Sequence, residues 1–137
     1  MFVDACAIIS VITQEPTAAD YESALGLSRD RFTSALAAWE ATIILTRDDK
    51  LACSLSLAMT AVMRWLDTND VELREAGSPL DVLTYAVAVA EKHGLGKRAL
   101  SNFDCFHYAH ARVAGVPLLT LDRLLRETDV ETLPHGP

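Results

Sequence analysis

Four acidic residues stand where acids are costly. Asp4 interrupts the opening "MFVDACAIIS", which is otherwise apolar except for the small Ser10. Glu40 lies in "SALAAWEATIIL", where its neighbours at three and four residues' spacing are Leu36, Ala37, Ile43 and Ile44; on a helix it faces apolar groups rather than water. Asp104 comes near the start of the helical stretch "SNFDCFHYAHARVAG", and Asp122 closes the apolar run "VPLLTLD". Taken singly, Asp4 reads as a strand-end turn former, Asp104 as a helix N-terminal acid and Asp122 as a turn or N-cap acid. Taken together, the four need a compensating charge, because an unpaired carboxylate in a core is either very expensive or protonated. Arg123 and Arg112 are the nearest basic residues in sequence, and both also suit the surface. Hard divalent cations compensate better: Mg²⁺ and Mn²⁺ prefer carboxylate oxygens, and a pair of ions about 3.5–4 Å apart holds both sides of a phosphodiester displacement.

Something must bring these distant acids together. "MFVD" reads as a short buried strand feeding the helix "ACAIISVIT". Pro16 and Thr17 then introduce a second helix with Tyr21, Ala24 and Leu25 on one face. A short extended piece in "DRFTSALAAWEATIILTR" precedes a helix whose apolar stripe is read as Leu36, Trp39, Ile43 and Ile44. "LACSLSLAMTAVMRWLDTN" is helical, "VELRE" a strand, and "SPLDVLTYAVAVAEKHG" a helix with Ser78 as N-cap, Pro79 at its first position and Gly94 as its stop. After "GLGKRA" come the Asp104 helix, the strand "VPLLTLD", about one helical turn in "RLLRE", and a last strand in "TDVETL". Short apolar strands alternating with helices predict an α/β fold, a three-layer α/β/α sandwich around a mostly parallel sheet. In such sheets ligands bind outside the strand C-termini, where Asp4 and Asp122 fall. The 137 residues read as a single domain, residues 1–137.

Composition narrows the class. Half the residues are hydrophobic and 23% are charged, which is globular. Asp4 breaks up any leader-like apolar run, and no apolar stretch has the length and uniformity of a bilayer span; a cytoplasmic protein with no membrane partner is expected. Cys6, Cys53 and Cys105 are odd in number and far apart, so reduced thiols are expected rather than disulfides or a zinc site. The net charge of −7 opposes binding to phosphate unless a metal reverses the local field.

Around the acids, Thr33, Ser34 and Thr120 are hydroxyls that either meet phosphate or cap helices. Lys92, Lys97, Arg98, Arg112, Arg123 and Arg126 are the available phosphate contacts, with Lys97, Arg98 and Arg112 the expected substrate-binding set. His107 and His110 follow Asp104 at three-residue intervals; without companion cysteines they read as helix-surface or partly packed residues, with His107 within reach of substrate. Trp39, Trp65 and Tyr85 fit core or dimer packing within amphipathic helices.

The segments "MFVDACAIISVITQEP", "SALAAWEATIIL" and "ALSNFDCFHYAHARVAGVPLLTLDRLLRETDV" together resemble the PIN-domain family, and within it the ribonuclease toxins of bacterial VapBC toxin–antitoxin pairs. The resemblance covers most of the chain in order. It implies an α/β/α sandwich, a homodimer, Mg²⁺- or Mn²⁺-dependent hydrolysis of RNA by water that the cation activates, and a VapB-like antitoxin that blocks the site. Matched position by position, it implies that Asp4, Glu40, Asp104 and Asp122 are the catalytic, metal-holding acids, with Asp129 as the substitute for the fourth. Phe103 stands where members commonly carry glycine before the third acid. Two other readings compete: a catalytically silent PIN-like module that binds RNA or protein, and a phosphatase or receiver-like domain using Asp4 as phosphoryl acceptor.

Overall fold

The computed structural model describes residues 1–136. Its elements run β1 Phe2–Val3, α1 Ala5–Ile12, α2 Ala18–Leu25, β2 Phe32–Thr33, α3 Ala35–Leu45, α4 Leu55–Thr68, β3 Glu72–Leu73, α5 Pro79–His93, α6 Asn102–Ala114, β4 Leu118–Leu119, α7 Arg123–Arg126 and β5 Thr132–Leu133. The five strands form one sheet in the order β3-β2-β1-β4-β5, and every pairing is parallel.

Alternation along the strands separates two cores. Val3, Leu119 and Leu133 point into one with Ile8, Leu25, Leu45, Val62 and Leu66. Phe2, Phe32 and Leu118 point into the other with Ala86, Val89, Leu100 and Leu125. The period-2 geometry of a strand requires this split. Helices α1, α2 and α4 therefore cover one face and α5 and α6 the other, which is the expected three-layer α/β/α sandwich. The two-residue strands are long enough because each buries both of its side chains in the central positions.

The helix boundaries follow their chemistry. Ser78 accepts from Asp81 N and Pro79 begins α5. Ser101 and Asp104 form a reciprocal capping box at the start of α6, and Gly115 ends it in the left-handed region. Ser34 and Ser54 cap α3 and α4.

Helix α3 departs from expectation. Its buried face is Ala37, Ala38, Ala41, Thr42 and Leu45, whereas Trp39 is 48% exposed and Leu36, Ile43 and Ile44 lie at the margins. The small side chains let α3 pack closely against α1 and α4, and the bulky ones are left at the flank. Trp65 is buried as expected, and Tyr85 is half-buried. The three cysteines are free thiols. Among the described residues no helix is long and apolar enough to cross a membrane.

Candidate metal centre

The sheet changes direction about β1: the chain first winds to β2 and β3 on one side, then returns to β4 and β5 on the other. The crevice beyond β1 and β4 is the switch point where open parallel sheets bind ligands. Asp4 leaves β1 directly into it, and Thr120, Leu121 and Asp122 leave β4 beside it.

Asp4 is 2% exposed. It occupies the N-cap position of α1 with extended backbone, yet its side chain makes no cap bond and so forgoes a contact worth about 1 kcal/mol. Its Oδ2 instead accepts from Thr120 Oγ1 at 2.6 Å and from Cys6 Sγ at 2.9 Å. Its Oδ1 lies 3.6 Å from His107 Nε2. That nitrogen is 3.1 Å from Glu40 Oε1, and the Glu40 side chain is only 14% exposed. Asp4, Glu40 and His107 each offer a ligand atom, and the three atoms lie within 4.8 Å of one another.

The remaining two acids stand around this centre and also serve the backbone. Asp104 Oδ2 accepts from Ser101 N at 2.9 Å, while burial, offset by that bond and reinforced by the charges of Asp4 and Asp122, raises its carboxyl above the ordinary range. Asp122 Oδ1 caps α7 by accepting from Leu124 N and Leu125 N. Each therefore commits one oxygen to a helix start, and the structural role expected for each acid taken singly holds. Among the described residues no lysine or arginine forms an ion pair with any of the four; Arg123 pairs with Glu127 instead.

His107 is the main residue that sequence reasoning undervalued. It is fully buried rather than at the helix surface, as is His110. Burial lowers the His107 pKa, but the Glu40 hydrogen bond and the charges of Asp4, Glu40 and Asp104 outweigh it, and the net shift is upward. Its Nδ1 has no partner among the described residues, so the ring bonds through Nε2 alone. The Phe103 ring lies 6.5 Å away from it, so the side chain in place of glycine helps cover the histidine. His110 is structural: its Nδ1 accepts from Ala76 N, its Nε2 is 3.0 Å from Glu75, and its ring stacks on Phe2. The signal was present in "DCFHYAHA", since three-residue spacing puts Asp104, His107 and His110 along one helix face.

Other expected contacts are sorted by position. Lys97 and Arg98 are exposed in the loop of residues 94–100, which leads into the Asp104 end of α6. Arg112 stands eight residues beyond Asp104, about 12 Å along the helix, where it pairs with Asp129 at 3.6 Å and lies over the Tyr85 ring. Helix length thus sets Arg112 apart from the four acids, engaged with Asp129 and Tyr85. Asp129 accepts from Tyr108 Oη at 2.7 Å at that same distant end, beside Arg112 rather than among the other acids. Thr33 donates to Val3 O, and Ser34 caps α3.

One buried carboxylate, a second largely covered, two more at the rim and a single imidazole make a donor set suited to a hard or borderline divalent cation. Comparison with known proteins gives the family. The PIN domain family model matches residues 1–131. The chain is similar to a protein named Ribonuclease VapC from Mycolicibacterium smegmatis, 30% identical over 95% of this chain and 97% of the relative. It is also similar to Ribonuclease VapC30 of Mycobacterium tuberculosis, 27% identical over 97% and 98% respectively. A switch-point acid cluster on a parallel sheet and a match over nearly the whole sequence lead to one conclusion: the chain belongs to the PIN-domain family.

Proposed function

We propose that this chain is a metal-dependent endoribonuclease and acts as the toxin of a VapBC-type toxin–antitoxin pair. In this reading a single domain works in the cytoplasm as a homodimer and is held inactive by a VapB-like antitoxin. The observation that carries the proposal is the convergence of Asp4 and Glu40 without a lysine or arginine partner among the described residues. The names of the relatives support ribonuclease activity.

Asp4 and Glu40 would hold the cation, with the free oxygens of Asp104 and Asp122 completing the set. When bound, Mg²⁺ or Mn²⁺ supplies the Lewis acidity that activates water near neutral pH and offsets charge on the phosphodiester oxygens. The protein's own groups do the remaining work. Thr120 holds Asp4 in place, the Nε2 of His107 lies between Glu40 and Asp4, and Lys97 and Arg98 meet the substrate backbone. A phosphoryl acceptor at Asp4 fits poorly, since Oδ2 already accepts two donors and Oδ1 faces Glu40 and His107.

The test is cleavage of total RNA by purified, partner-free protein with each ion, followed by mapping of the cut ends. Cleavage should require Mg²⁺ or Mn²⁺. Asp4→Asn should fold normally and lose more than about 100-fold in rate, because it removes a ligand rather than an outer-shell partner. Equal cutting by both proteins rejects the role of Asp4, and no cutting of any RNA favours a silent binding module.

A further inference from the structure

We infer that Cys6 and Tyr21 are positioning residues which, together with Thr120, decide which oxygen of Asp4 faces the cation. The inference rests on the reading of Asp4 given above and goes beyond it by assigning a task to two residues outside the acid set.

The argument begins with what Asp4 does not do. An aspartate at an N-cap normally accepts from the helix's own first N–H groups, as Asp122 does at α7. Asp4 has the extended backbone for a cap but makes none. Its carboxylate is turned away and held by side chains from two other places in the fold. Thr120, just past β4, donates to Oδ2 at 2.6 Å. Cys6, in the first turn of α1, donates its S–H to the same oxygen at 2.9 Å.

The directions of these bonds are fixed by the backbone. Asp122 N–H donates to Thr120 Oγ1 at 3.1 Å, and Leu121 N–H donates to Tyr21 Oη at 2.9 Å. Each hydroxyl thus receives one donor from the segment leaving β4 and has its own proton to give. That of Thr120 goes to Asp4. The thiol's only proton also goes to Asp4, so across the 3.1 Å contact between Tyr21 Oη and Cys6 Sγ the phenol is the donor. Sγ also lies 3.4 Å from Thr120 Oγ1, which closes the set. The network ties α2, α1, the end of β4 and the end of β1 to one carboxylate oxygen. Oδ2 is occupied by two donors, and Oδ1 is left on the side of His107 and Glu40. A carboxylate held in this way meets a cation with one defined oxygen and little torsional freedom, the task that outer-shell groups perform at metal sites.

The experiment measures Mn²⁺ binding by loss of the free-ion electron paramagnetic resonance signal, and kcat and KM on a cleaved RNA, in partner-free wild type, Asp4→Asn, Cys6→Ala, Cys6→Ser and Tyr21→Phe. Cys6→Ala should weaken Mn²⁺ binding about tenfold, the low end of the outer-shell range, and lower kcat with KM unchanged. Cys6→Ser keeps a donor and should restore most of both, and Tyr21→Phe should fall between wild type and Cys6→Ala. Unchanged Mn²⁺ affinity and kcat in Cys6→Ala and Tyr21→Phe, with only the melting temperature lowered, overturns the inference and leaves the metal reading intact. Wild type that binds no Mn²⁺, or Asp4→Asn that binds it equally well, overturns both. If Cys6→Ala does not fold, Tyr21→Phe carries the same outcomes, because it keeps the packed ring and removes only the phenol group.

Discussion

The two ends of helix α6 handle negative charge in opposite ways. At its C-terminal end Asp129 is exposed, accepts from Tyr108 and pairs with Arg112. The Tyr108 hydrogen bond, against slight burial and with help from Arg112 and Lys92, holds its carboxyl below the usual range. At the N-terminal end Asp104 faces Asp4 and Asp122, and burial together with those charges pushes its carboxyl up. The residue types are nearly the same and the helix is the same. One end balances its charge internally; the other concentrates unbalanced charge in a crevice at a sheet switch point, with the His107 imidazole against it. An acid group that the fold neutralises reads as structure, whereas one left in deficit waits for a ligand.

The largest test of this contrast is His107→Leu. Removing the imidazole leaves Asp4 and Glu40 facing each other in a buried place, and thermal melts of the metal-free variant should show a loss of about 3 kcal/mol, as for other broken buried pairs. Saturating Mn²⁺ should recover more stability in the variant than in wild type. If the variant melts like wild type without metal, the unbalanced-charge account of the N-terminal end is wrong. A pH series sharpens the same point. The folded-state pKa of His107 is raised above 6.5, so its contribution is complete below that value and is lost as pH rises through the folded-state value. Metal-free wild type should lose stability over that window, while His107→Leu should be flat there.

A smaller effect is expected in the loop leading into α6. Replacing both Lys97 and Arg98 with alanine should raise KM for RNA a few-fold at low salt, with the difference shrinking as salt screens the exposed charges, and leave kcat unchanged. The smallest effects belong to the balanced end. Arg112→Ala should leave cleavage untouched and cost less than about 1 kcal/mol, as exposed pairs do. Because the Asp129 carboxyl is held low, its stabilising contribution is present above the usual value of 3.8 and fades as pH falls through the lower folded-state value. A cleavage defect in Arg112→Ala would join the two ends functionally and break the comparison.

Much of this could be read from the chain. Strand and helix alternation gave the layers, and Ser78, Pro79 and Gly94 bounded α5 correctly because caps and breakers act locally. Asp4 and Glu40 stood out because their surroundings are apolar. The buried face of α3 was misjudged because packing there selects small side chains for close approach, and Trp39 is large but faces outward. The three-residue spacing of His107 and His110 did not by itself say that both rings would be buried against Phe2. Cys6 was harder still. Residues two apart on a helix do not face each other, but Asp4 lies outside α1, so its side chain reaches the first turn. Tyr21 and Thr120 come to Cys6 from 15 and 114 residues away, and no local pattern encodes that meeting.

The central strand is only two residues long, and Asp4 follows it immediately. Its backbone N–H is bonded to Leu119 O, and Thr33 Oγ1 clamps Val3 O on the other side. Sliding β1 by one residue would exchange Phe2 and Val3 between the two hydrophobic layers and swing the carboxylate out of the crevice. The aim of this acid is thus set by strand alignment, and volume changes in either layer, at Phe32 or Leu119 for example, will reach the chemistry through the ladder rather than through any direct touch.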